Sequence, residues 1–272
     1  MKTKNLLFVL ILAGAVLVNA CGPSGKTEES SGSEDETQDS PSEITLTKAP
    51  ASPEYAEASL LMESVDVVDN DSVFSANFDF TVENYELGVQ TEDADTRGIA
   101  NSGKGQHIHL IVNNGPYSAH YEPTFSKEME EGSYVVLAFL SRSYHESVKN
   151  DNSYAVDVLT VGEAEPMEVD FSAPHLFYSR PKGTYTGSDT EKLMIDFFLL
   201  NTTLSPDGNK VRATINGQEF MIDEWAPYYA EGLPMGEVTV KLELIDSAGD
   251  PVPGPFNTVT RTVTLKEAEA DM

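Results

Sequence analysis

One cysteine stands in 272 residues, at position 21, so the chain can form no internal disulfide. A body stable in an oxidising compartment must then hold itself together by packing alone. Basic residues are scarce: 17 Lys and Arg face 45 Asp and Glu, a net charge of −28. So acidic a surface repels phosphate backbones and anionic bilayers, which excludes nucleic acid as a partner. Catalytic signatures are missing as well. There is no Gly-x-Ser-x-Gly, no His-Glu-x-x-His, no phosphate loop and no spare thiol, so a non-enzymatic role is expected.

The first twenty residues carry what the rest lacks. Lys2 and Lys4 are followed by the apolar run Leu6 to Leu12 and by small residues up to Ala20. This is shorter than the ~20 residues of a spanning helix and fits a signal peptide. It closes on Leu17-Val18-Asn19-Ala20-Cys21, similar to the lipobox of bacterial lipoproteins. The resemblance implies cleavage after residue 20 and lipidation of Cys21, whose acyl chains would hold the protein to a membrane. A free thiol near a cleavage site is the alternative. Residues 21–43 follow as an acidic, disordered tether, with seven acids from Gly22 to Glu43 against Lys26. An acidic stretch behind a lipidated cysteine resembles the surface-export signal of Bacteroidota lipoproteins. It implies the outer membrane, facing outward, with a periplasm-facing spacer as the alternative. Without the signal lysines and this tether, itself −6, residues 44–272 keep a net −24.

Those residues are an internal repeat. Asn77 to Leu87 matches Met194 to Leu204, with Asp79/Asp196, Asn84/Asn201 and Leu87/Leu204 in step. His107 to Asn113 runs parallel to Lys210 to Asn216, Tyr121 to Phe125 to Trp225 to Tyr229, Gly132 to Leu137 to Gly236 to Lys241, and Tyr154 to Val161 to Thr258 to Leu265. Each copy reads as about seven short strands separated by Gly, Pro, Asn and Asp turns. The fold class is therefore all-β: two tandem immunoglobulin/fibronectin-like β-sandwiches, residues 44–165 and 166–272, opening with strands at Ile44 to Lys48 and Leu176 to Ser179. The first sandwich is then the membrane-proximal one, and Phe171, His175, Leu176 and Phe177 suggest contact between the two.

Features held by only one copy are the better candidates for a site. His107 and His109 are two apart on a strand, so both point to one face, about 7 Å apart along the chain. Lys210 and Arg212 hold these positions in the second copy, which predicts an exposed face. Two imidazoles are half of a Zn or Cu site, with His145 or His120 as a third ligand and carboxylates for the remainder. A plain polar face or a hydrogen-bonding pair is the alternative. Leu140-Ser141-Arg142-Ser143-Tyr144-His145 resembles the Ser-Arg-x-His stretch of forkhead-associated domains, with one extra residue before the histidine. That resemblance implies phosphopeptide recognition by Ser141, Arg142 and His145, against a strand end with a surface arginine. Ser179-Arg180-Pro181-Lys182 adds basic residues near the junction. Asp93 to Gly98 begins like a calcium loop, but Arg97 and Lys104 occupy ligand positions. The Tyr121/Trp225 and Phe125/Tyr229 pairs read as packing, with an aromatic platform for sugar or peptide as the alternative.

Over both sandwiches the chain resembles a family of two-domain lipoproteins of Bacteroidota. The residues that carry the resemblance are Gly103 to His109, Leu140 to Ser147 and Gly232 to Gly236. Some members carry the label phosphopeptide-binding protein, which implies an envelope protein with a protein or peptide ligand. A purely structural envelope module is the remaining alternative.

Overall fold

A computed structural model describes residues 43–71 and 73–268. The signal peptide, Cys21 and nearly all of the tether lie outside them. In chain order the strands are β1 (Thr45–Lys48), β2 (Ser59–Asp69), β3 (Phe74–Glu83), β4 (His107–Val112), β5 (Ser118–His120), β6 (Thr124–Met129), β7 (Gly132–Ser141) and β8 (Tyr154–Val161). They continue with β9 (His175–Arg180), β10 (Thr184–Thr186), β11 (Lys192–Leu200), β12 (Lys210–Ile215), β13 (Gln218–Ile222), β14 (Tyr228–Glu231), β15 (Gly236–Ile245) and β16 (Thr258–Lys266).

The repeat is visible in the pairing. Sheets β2-β3-β6 and β5-β4-β7-β8 make the first sandwich, and the same order returns as β9-β11-β14 and β13-β12-β15-β16 in the second. Three strands against four, with antiparallel neighbours, is the fibronectin-like form of the immunoglobulin sandwich. A repeated asparagine device fixes the end of the third strand in each copy. Asn113 and Asn216 take left-handed backbone angles, φ 48° and 47°, and their Oδ1 atoms accept from Val135 N and Thr239 N at 2.8 and 2.9 Å. Asparagine tolerates this region because its short amide bonds locally.

Two elements depart from the repeat. Thr184 to Thr186 adds β10 parallel to β16. More consequentially, β1 pairs antiparallel with β14, Leu46 opposite Ala230. The opening segment Ile44–Lys48, expected as the first strand of the first sandwich, thus belongs to a sheet of the second. The chain enters the body through the second sandwich, and the expectation that the first lies next to the tether is corrected accordingly. Ile44 joins the second core, whose bare β14 edge would otherwise stay open.

Both sandwiches belong to one compact unit. The reason lies in β7 and β11, whose central side chains are buried on both faces. In β7, Val136, Ala138 and Leu140 fill the first core. The alternate residues Val135, Leu137 and Phe139, with Ile111 and Tyr117, meet Phe177, Phe198, Leu200 and Phe256 of the second sandwich in a shared core. An unbroken apolar run is what a strand covered on both sides requires. Polar ties cross the same seam. Asn114 Nδ2 donates to Leu176 O and Phe256 O at 3.0 and 2.9 Å, and its Oδ1 accepts from Tyr178 N at 2.8 Å. Arg261 donates to the carbonyls of Asn114 and Gly115.

Asn114→Ala would strand one buried N–H and two carbonyls. A loss of at least about 2 kcal/mol is expected in urea unfolding, since each unpaired buried group costs about 1–3 kcal/mol. A change below about 0.5 kcal/mol, the range of a neutral surface substitution, would show that Asn114 does not tie the sandwiches together.

Candidate metal centre

His107 and His109 project from the outer face of the β5-β4-β7-β8 sheet, the face that Ile111 continues into the shared core. Both are fully buried. The exposure inferred from Lys210 and Arg212 is therefore corrected: the second sandwich covers this face of the first, whereas its own equivalent positions are only half-buried. His145 arrives from the turn that follows β7. Its N–H donates to Arg142 O at 2.9 Å and its φ of 69° lies in the left-handed region, which carries the imidazole back over β4. The loop is anchored across the junction. Ser147 donates to both carboxylate oxygens of the fully buried Asp196 on β11, which also pairs with Lys149 at 2.6 Å.

Among the described residues one group of three potential ligands converges: His107, His109 and His145, with their ligand atoms within 4.8 Å of one another. Nε2 of His107 lies 2.9 Å from His109 Nε2 and 3.1 Å from His145 Nδ1. Four ligands at 2.0–2.1 Å from a tetrahedral ion stand about 3.3–3.4 Å apart, so these two contacts fall a few tenths of an ångström short of that spacing, while the group as a whole spans up to 4.8 Å and would have to draw in around an ion. The proton positions suit it. His107 Nδ1 must donate to Gly105 O at 2.8 Å, which leaves its Nε2 lone pair facing inward. Ser179 Oγ, 3.5 Å from His109 Nδ1, is placed to accept from an Nδ1–H, the tautomer that frees Nε2 for an ion. Gly105 itself has φ 88°, and a Cβ there would come within 2.5 Å of Val89 O, so only glycine places that carbonyl.

Burial holds all three imidazoles neutral. It lowers His107 to about 4, partly offset by the bond to Gly105 and reinforced by Arg180. Burial likewise pushes His109 well below its usual range, with His107, His145, Arg180 and Lys182 adding to the effect. His145 is also lowered, by burial and then by Arg180 and His107. Neutral imidazole is the form that binds a metal. Tyr117 completes the surroundings, stacked face to face on His109 with ring centroids 3.5 Å apart, its Oη 3.3 Å from His145 Nδ1.

The other sequence candidates part from this cluster. His120 is turned away, stacked on Phe125 and bonded to Ser118 Oγ. No carboxylate joins the three histidines among the described residues, contrary to the expected mixed set. Ser141 and Arg142, expected to bind phosphate with His145, are buried and occupied. The Arg142 guanidinium bonds Glu146 Oε1 at 3.1 Å, Ser147 O at 3.1 Å and Pro53 O at 2.7 Å, while Ser141 Oγ donates to Arg142 O. His145 faces the other way, toward His107. The reason is that Arg142 has a carboxylate three residues after the turn starts, and burial makes that pairing compulsory. Arg97 likewise closes on Asp93, so the calcium-like segment is an ion-paired turn. Phe125 stacks on Phe78 and Phe80, and Trp225 meets Phe198 edge-on, as packing residues do.

Tyr117 and Asp196 join the site through tertiary placement alone, whereas Arg180 is already marked in the sequence as a basic residue near the junction.

No family model matches the chain, and no curated protein does. Among solved structures it is similar to the fibronectin(III)-like modules of Clostridium thermocellum CbhA, at 14% identity over 35% of this chain and 99% of that one, with a TM-score of 0.28. It is also similar to a Ca2+-stabilized adhesin of an Antarctic bacterium, at 12% identity over 81% and 51% of the two chains, TM-score 0.21. A third likeness is to the FN1–FN3 domains of chicken CNTN1, at 12% identity over 76% and 67%, TM-score 0.23. The fold assignment rests on strand order and not on these values.

The neutral cluster makes metal-free protein acid-sensitive. Between about 6.5, the value of an exposed imidazole, and the folded value of about 4, the unfolded chain binds a proton at His107 that the folded chain refuses. Stability is therefore unaffected above that window and falls as pH drops through it, by about 3 kcal/mol from His107 alone. Urea unfolding of metal-free protein across this range should show the fall, and a parallel profile in His107→Asn would contradict it.

Proposed function

We propose that this chain is an exported, lipid-anchored protein of the outer membrane whose paired sandwiches serve as a non-enzymatic scaffold for one Zn or Cu ion, held by His107, His109 and His145. The observation that carries this reading is the convergence of three neutral imidazoles on one buried point, fixed by a left-handed turn on one side and a sheet on the other. Imidazole donors suit Zn and Cu, and three of them aimed at one point supply most of such a site. The membrane address rests on Leu17 to Cys21 and the acidic stretch behind it, with outward display favoured and a periplasm-facing arrangement as the variant.

Recognition of an anionic phosphopeptide is the second reading, supported by the Leu140 to His145 resemblance and by the label that some similar lipoproteins carry. It has less support from the arrangement of side chains, because a phosphate would have to displace Glu146 from Arg142. A structural module without a ligand is the third.

Elemental analysis and calorimetric titration of the Cys21→Ser chain, which removes the only thiol as a competing ligand, separate these readings. One ion per chain is expected for Zn or Cu. His109→Ala should weaken binding by more than the roughly 10–100-fold typical of losing an outer-shell partner. Equal, weak uptake by both proteins would leave the structural module. Thermal stabilisation by a phosphothreonine peptide, abolished in Arg142→Ala, would restore the peptide reading.

A further inference from the structure

One place in this acidic protein gathers positive charge without a counter-charge. Among the chain's arginines, Arg97, Arg142 and Arg212 each meet a carboxylate. Arg180 and Arg261 do not, and neither does Lys182, within 4.0 Å among the described residues. Asp196 stands opposite Arg180 on β11, but that carboxylate is held by Ser147 and Lys149. Arg180 is buried and its Nε has no partner. Arg261 donates to the carbonyls of Ser179, Asn114 and Gly115, and Lys182 to that of Tyr117. Carbonyls orient a cation but bring no opposite charge, and like charges gathered at a half-buried junction are penalised.

Lys182 and Arg261 line a cavity of about 380 Å3 that no acid lines. One wall is the outer edge of β16. β10 covers that edge only from Thr264 onward, where Thr264 N donates to Gly183 O at 3.0 Å. Amide direction alternates along a strand, so the N–H groups of Thr262 and Thr260 point the same way, away from β15. Thr239, opposite Thr262 on β15, agrees: its N–H and carbonyl both go to Asn216, on the far side from β16. Thr260 and Thr262 thus present edge amides to the cavity with no strand beside them. A guanidinium has five N–H donors, and the three carbonyl bonds leave Arg261 with two in hand. Cationic side chains and outward amides around one acid-free cavity are the donors an oxyanion needs.

We infer that the cavity between β16 and Lys182-Gly183 is a binding site for a dianionic tetrahedral oxyanion, a phosphate or sulfate group, held by Lys182, Arg261 and the amides of Thr260 and Thr262. The dianion supplies the counter-charge that the junction lacks, and Arg180 acts on it from the interior through its field. A carboxylate carries one charge and binds more weakly. The site does not depend on the metal reading.

Calorimetric titration of the Cys21→Ser chain with inorganic phosphate, sulfate, phenyl phosphate and acetate tests the assignment. Ionic strength is held constant, and a chelator keeps any ion at the histidines from capturing the anion. One saturable site per chain is expected for phosphate and for sulfate, with acetate weaker. Lys182→Ala should weaken both dianions by about 10–100-fold, the effect of losing one charge-assisted hydrogen bond. Lys104→Ala, an exposed lysine on another loop, should change nothing. Saturating phosphate should also raise the unfolding temperature, and this gain should shrink in Lys182→Ala. Phenyl phosphate bound more tightly than inorganic phosphate would identify a phosphate ester as the occupant, and equal affinity the free anion. No saturable heat from either dianion in the Cys21→Ser chain overturns the site, whatever the fate of a variant. So does binding that Lys182→Ala leaves unchanged, or that arises only when zinc replaces the chelator.

Discussion

The apolar seam between the sandwiches is the constraint on which the remaining features depend. Ile111, Leu137 and Phe139 from one side and Phe177, Phe198 and Phe256 from the other are removed from water together. Each such side chain contributes about 1.5–3 kcal/mol on burial, enough to hold two domains as one body without a disulfide. The same seam takes His107 and His109 out of solvent. Desolvation then keeps them neutral, the form of imidazole that is able to bind a metal. Were the sandwiches to part, the imidazoles would rehydrate and the left-handed turn at His145 would lose its hold on Asp196.

Much of this fold was legible in the residues. The seven-strand repeat follows from the matched Asp, Asn and Gly positions, and the apolar run Val135 to Leu140 announces a strand covered on both faces. The paired histidines and the third from the turn were also readable as types with suitable spacing. What could not be read was orientation. Internal comparison assigned the His face to solvent because it assumed that both copies have the same surroundings, and docking of one copy on the other breaks that symmetry. Arg142 misled for a related reason: a motif records which residues are near in sequence, not whether Glu146 has already claimed the guanidinium. Ile44 to Lys48 was recognised as a strand but not as a partner of β14, since pairing across some 180 positions leaves no local trace.

Charge is distributed against the grain of the chain. A protein of net −28 gathers Arg180 and Lys182 beside the three imidazoles, with Arg261 close behind, and Lys182 is depressed by burial and then by Arg180 and Arg261. Most of their hydrogen bonds go to carbonyls of Asn114, Gly115, Tyr117 and Ser179, so they fasten the turn that carries Tyr117 to the second sandwich. Positive charge here thus has two physical effects: it locks the junction mechanically, and it tunes the neighbouring ring nitrogens electrostatically. The acidic exterior remains elsewhere, solvated and without a role in the cluster.

The placement of β1 has a mechanical side. Tension reaching the body from residues that precede Thr45 acts first on the hydrogen bonds between β1 and β14, and from there on a sheet of the second sandwich. Strand β4, which carries His107 and His109, and the turn that carries His145 lie off that line of load. A body pulled by its leading segment would give way by peeling one short edge strand, while the seam and the imidazoles behind it stay unstrained.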